Sequence, residues 1–200
     1  MTKNVTLATL NIQLVDSDPA IWRRVRVPLD IELDELHFVI QVSMGWTGSH
    51  IHAFRFGKTQ YGSMFDPDSD GPAEEGVALK QALNGARSFD YLYDFGDDWA
   101  HHITVESIDK MREEWNFPVC LDGANACPPE DVGAIPGYMN FCKTLADPQA
   151  EGHEEALLWA GGAFDPLSFD INRVNRELHG LCFSPEDQLP DFEDFIGDDD

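Results

Sequence analysis

The chain has 200 residues, 42% of them hydrophobic and 11% aromatic, enough to bury about 70% of the unfolded surface without disulfide staples. Thirteen basic residues against 37 acidic ones give a net charge of −24, which argues against a broad basic face for phosphate backbones or anionic membranes. No apolar run approaches the roughly 18 residues of a membrane span and no signal-peptide pattern opens the chain, so a cytoplasmic protein with reduced cysteines is expected.

Val5 and Leu7, then Leu10, Ile12 and Leu14, alternate with a change of phase, which predicts a strand over 5–14 with a bulge. The turn residues of DSDPA (16–20) lead into IWRRVRVP, a second strand that ends at Pro28 and closes a hairpin. Leu33, Leu36, Ile40 and Met44 recur at helical spacing, with Asp34 and Glu35 in the first turn and Gly45 as the stop. HIHAFRFG (50–57) predicts a third strand, 62–76 a solvated acidic loop and 77–85 a short helical turn.

DYLYDFGDDWAHHITVES (90–107) predicts a hairpin turning at Gly96-Asp97-Asp98. In that register Phe95 faces Trp99, Tyr93 faces His101, Tyr91 faces Ile103 and Phe89 faces Val105, so the odd-numbered side chains form a buried aromatic face. Residues 118–138 read as a Gly- and Pro-rich loop. Three short helical segments follow, the last with Asp170 as N-cap. The expected fold is α+β: a β-grasp-like mixed or antiparallel sheet of about five strands with one packed helix. A sheet core (1–110) and a loop and helical C-terminal lobe (111–184) make one domain, and 185–200 is an acidic tail.

The blocks IWRRVRVP, LHFVIQVSMGWTGSHIHAF, YLYDFGDDWAHHI and CLDGANACPPEDVGAIPGY, in this order, resemble the plasmid pRiA4b Orf-three-like family over about residues 7–178. Members are also known as passenger (TnpR-type) proteins of insertion elements. The resemblance implies an α+β fold with a β-grasp-like core, an association with mobile or accessory genes, and no firmly established activity. The serine-arginine set of a resolvase is absent. The family pattern carries two glycines where this chain has Gly133-Ala134.

The candidate ligand-binding residues are Tyr93, Asp94, Asp97 and His101 of the hairpin, with Glu130 and Asp131 held on a loop behind two prolines. A buried His101 needs a phenol or carboxylate partner. As metal ligands, His50 and His52 would share one strand face. Cys120 and Cys127 are spaced more widely than a zinc knuckle, and buried thiols are the simpler reading. His37 falls among apolar helix positions and reads as a core histidine. DPDSDG (66–71) imitates half of an EF-hand loop but has Val77 where the bidentate Glu belongs. No Walker loop, Rossmann fingerprint, G-x-S-x-G or HExxH is present, and DFG lacks the rest of the kinase set.

These readings favour a non-enzymatic binding or interaction module that needs no cofactor. Its site would be a cleft between sheet and lobe, lined by the hairpin tip and the CPPED loop. One alternative is a metal-dependent hydrolase, with carboxylates and histidines around a divalent ion. A second is an acidic nucleic-acid mimic that occupies a basic protein partner.

Overall fold

The computed structural model describes residues 4–62, 71–112 and 118–181. The acidic tail, Cys182 and nearly all of DPDSDG lie outside the described residues. Seven strands form one sheet: β1 (Asn4–Leu14), β2 (Trp22–Pro28), β3 (His52–Phe56), β4 (Thr59–Gly62), β5 (Ser88–Tyr93), β6 (Trp99–Arg112) and β7 (Val119–Ala124). The order is β4-β3-β5-β6-β1-β2-β7, and every neighbouring pair is antiparallel. The fold is α+β, as expected. Among the described residues the sheet has seven strands rather than about five, and the β-grasp-like arrangement is not confirmed.

Both additional strands lie where local signals are poor. β4 is a four-residue edge strand, too short to show alternation. β7 includes Gly123, which mimics a loop. The glycine is there for space, since a Cβ would sit 2.7 Å from the Phe169 ring and 3.0 Å from Arg23 Cδ. The register shift against β6 falls at Thr9/Leu10, but the extra residue is Glu106 of β6, and β1 runs unbroken against β2. The expected bulge in β1 is therefore corrected: Ala8, Leu10, Ile12 and Leu14 face the core, and Leu7, of opposite parity, is buried on the other face.

Helix α1 (Leu33–Met44) buries Leu33, Leu36, Val39, Ile40 and Met44, each worth roughly 1.5–3 kcal/mol. The Glu32 N–H donates to Glu35 Oε2 at its start. Gly45 ends it at φ 95°, donating to Gln41 O. A short α2 (Leu79–Leu83) follows. The lobe holds α3 (Ala134–Ala146), α4 (His153–Trp159) and α5 (Ile171–Leu178). Asp170 Oδ1 accepts from Asn172 N and Arg173 N, the expected cap.

The β5–β6 hairpin forms in a different register. Tyr93 pairs with Trp99, Tyr91 with His101 and Phe89 with Ile103. The cause is the connection. Asp94 adopts φ 56°, and its Oδ1 accepts from Gly96 N and Asp97 N. Asp98, also at positive φ, donates to Asp94 O, so the turn spans five residues instead of three. A slip of two positions preserves facing: Phe89, Tyr91, Tyr93, Trp99, His101, Ile103 and Val105 are all buried. Phe95 is the exception, exposed in the turn.

Arg23 on β2 ties sheet to lobe. It is 2% exposed and donates to the carbonyls of Trp22, Ser43, Ala124 and Asn125, while Phe169 stacks 4.2 Å from its guanidinium carbon.

Candidate functional site

Three segments meet beyond the end of α1. The first is 46–50. Gln41 fixes it, its backbone oxygen accepting from Trp46 N and its Oε1 from Gly48 N. The second is the tight turn 94–98. The third is the loop 127–133, held by Trp46 Nε1, which donates to Pro128 O at 2.9 Å.

Glu130 is the junction of the three. Its carboxylate accepts from Tyr93 Oη at 2.5 Å, Thr47 Oγ1 at 2.7 Å and Thr47 N at 3.3 Å. A second clasp joins turn and loop, Gly133 N donating to Asp97 Oδ2 at 3.0 Å. Between the clasps, His50 Nε2 lies 3.8 Å from Asp94 Oδ2 and 3.5 Å from Asp131 Oδ1. The structure therefore brings Tyr93, Asp94, Asp97, Glu130 and Asp131 together. Thr47, Ser49 and Trp46 join them without having been singled out. The signal available for them was GWTGS itself, a polar run with one tryptophan directly after a helix stop.

His101 stands apart from this group. It is fully buried, edge-on to Trp46 at 5.4 Å, and among the described residues neither ring nitrogen has a hydrogen-bond partner. The register explains the missing phenol: His101 lies across from Tyr91, whose hydroxyl is taken elsewhere. Burial lowers the His101 pKa to about 4, so the ring is neutral at pH 7.

The expected His50–His52 pair does not converge on one ion, because the strand begins only at His52. His52 Nε2 is held by both oxygens of Glu74, at 2.8 and 3.0 Å. Glu74 is itself 2% exposed, so the acidic loop is not wholly solvated. His52 also stacks on His37, with ring centroids 3.6 Å apart. Tyr91 Oη accepts from Gln41 Nε2 and is left to donate to His37 Nδ1. Burial, then the neighbouring His52, lowers the His37 pKa to about 3. This core network reaches the site, since Gln41 bonds both Tyr91 and Gly48.

Cys120 and Cys127 both lie within the field of Arg23, a cation that repels a metal ion. Burial pushes both thiols up, and Cys142 likewise. Tyr93 is raised to about 12 by burial, then by its bond to the Glu130 carboxylate. Burial pushes Glu130 up, but the bonds from Tyr93 and Thr47 outweigh it and hold the carboxyl below its ordinary range.

A cleft of about 430 Å³ opens on the other side of Glu130. Its walls include Trp46, Pro129, Phe164, Phe169 and Arg173. It lies between the end of α1, the 126–130 loop and α5. The hairpin tip does not line it; Glu130 does, and so links the two features.

The model of the plasmid pRiA4b ORF-3-like proteins matches residues 6–173. The chain belongs to this family. It is 39% identical over 182 residues to the uncharacterized protein y4hQ of Sinorhizobium fredii, an alignment covering 88% of this chain and 93% of that protein. It is also similar to the crystal structure of MM3350, a protein of unknown function from Methanosarcina mazei. There the identity is 32% and the TM-score 0.77, with 84% of this chain and 97% of that one covered. Among the described residues, no helix is long and apolar enough to cross a membrane.

Proposed function

We propose that this family member is a non-enzymatic binding module whose ligand sits at the junction of 46–50, 94–98 and 127–133 and extends into the adjoining cleft. One observation carries the reading. Three loops are drawn together by hydrogen bonds on Glu130 and Asp97, beside a concavity of a size typical of ligand pockets. Secondary structure does not require such mutual bonding between loops, and it fixes polar groups at a rim.

The ionisable groups support binding over catalysis. Nucleophilic chemistry needs a depressed thiol, whereas Cys120, Cys127 and Cys142 are all pushed up. His37 and His101 are buried and neutral, away from the rim. Among the described residues Cys120, Cys127 and Cys142 are free thiols, which fits a reducing, cytoplasmic setting. The plasmid in the family's name supports an accessory-gene role.

The test is amide NMR mapping with a library of small carboxylates, phosphates and amines. Shifts at Thr47, Ser49, Asp97 and Gly133, spreading to Trp46 and Phe164, are expected. A ligand that instead perturbs the β3–β4 edge or α4 overturns the proposal.

A further inference from the structure

We propose that His50, Asp94 and Asp131 hold a divalent cation. The proposal deepens the binding reading by naming one occupant of the same junction, and it rests on that reading for the site's integrity. The three side chains come from three separate segments, and one ligand atom from each lies within 4.8 Å of the others.

The spacing leaves room for an ion where the other histidines make direct hydrogen bonds. Two other histidines meet carboxylates among the described residues, and both close to hydrogen-bonding distance. His52–Glu74 is 2.8 Å and His102–Asp90 is 2.9 Å. At His50 the distances are 3.5 and 3.8 Å, too long for a hydrogen bond to either carboxylate. The imidazole nitrogen and two carboxylate oxygens therefore border one gap. Ligand atoms about 2.1–2.4 Å from a metal lie roughly 3.0–3.4 Å apart when adjacent. The two His50 separations need a few tenths of an ångström of closure, and the two carboxylate oxygens, within 4.8 Å of each other, would draw in as the ion binds.

The supports around the gap are those of a ligand set. Asp94 Oδ1 is engaged by the Gly96 and Asp97 N–H groups, which leaves Oδ2 turned to His50. The His50 ring packs edge-on to Tyr93, with centroids 5.7 Å apart. The loop carrying Asp131 is clasped by Gly133 N on Asp97. One imidazole and two carboxylates suit a first-row divalent ion such as zinc or manganese better than calcium. Three protein ligands leave coordination positions for water or for an anionic group of a ligand. A net charge of −24 favours the cation and would otherwise repel that anion.

The experiment uses full-length protein freed of metal with EDTA, titrated with zinc chloride by calorimetry and with cobalt chloride by visible absorption. One equivalent should bind, with a cobalt spectrum typical of nitrogen and oxygen ligands. His50→Gln and Asp131→Asn should each weaken zinc by at least about tenfold. Asp131 is exposed, so its variant tests the ligand without disturbing the core, and a thermal melt confirms folding of both. Absence of binding overturns the proposal. So does binding undiminished in both variants, which would place the ion elsewhere. If ligand shifts appear at the junction in metal-free protein while zinc does not bind, the binding module stands and the cation falls.

Discussion

In the sheet, Leu10, Ile12, Val25, Phe54, Trp99 and Ile103 lose all contact with solvent, and α1 closes over them. In the lobe, α4 buries none of its seven residues, and Met139, Leu158, Trp159 and Leu167 stand half or more exposed. The sheet is held by area removed from water. The lobe buries far less, chiefly Tyr138, Phe141, Val174 and Leu178, and adds directional bonds at the sheet's far end. Asn175 exchanges two with the backbone of Cys120, Trp46 reaches Pro128, Tyr138 reaches Ala126, and Arg23 reaches Ala124 and Asn125. The site lies on the seam between these two regimes, where a few polar contacts fix positions that bulk packing does not.

The largest expected effect tests that seam. Arg23→Met leaves four carbonyls without their donor, and should cost about 3 kcal/mol in urea unfolding, after relief of burying the charge. Amide exchange should speed up in α5 before it does in β1. Equal acceleration in both would break the distinction between the halves.

Acid tests the sheet alone. His101 is held neutral with its pKa at about 4, below the ordinary 6.5. Between those values the unfolded chain binds a proton that the folded chain refuses, so stability falls as pH drops from 6.5 to 4. The slope is about 1.4 kcal/mol per unit, or about 3 kcal/mol over the window. His101→Phe should remove this contribution while leaving that of His37. Urea unfolding at pH 7 and 4.5 measures it, and identical slopes in both proteins would mean that His101 does not titrate as described.

The smallest effect concerns the entry to the lobe. Ala134 heads α3 at φ 60°, directly after Gly133 at φ 91°. Ala134→Gly should stabilise by about 0.5–1 kcal/mol, because a left-handed backbone is costly with a Cβ. A lower melting temperature would show that the alanine methyl packs usefully.

Facing was legible in the sequence and register was not. Alternation over 89–105 reports which side chains are hidden, and a slip of two leaves that unchanged. The register was decided by the Asp94 side chain folding back on Gly96 and Asp97, a local choice that alternation does not record. The phase change in β1 was read as a bulge in that strand, but β1 is continuous and the extra residue, Glu106, lies in its neighbour β6. β7 was missed because Gly123 is extended for the sake of Phe169, a residue distant in sequence. At the site, the hairpin acids and the CPPED acids were visible as polar groups in turns, and they do meet. The burial of Glu74 against His52 and the turn of His50 away from its strand depend on tertiary partners.

Tyr93 has its ring against Trp46 in the interior and its hydroxyl on Glu130 at the rim. A guest that draws the carboxylate outward deprives a core residue of its acceptor. On the proposed binding reading, occupancy of the mouth would reach the hydrophobic interior through this phenol, and near-ultraviolet circular dichroism from the two stacked rings would report the event without any label.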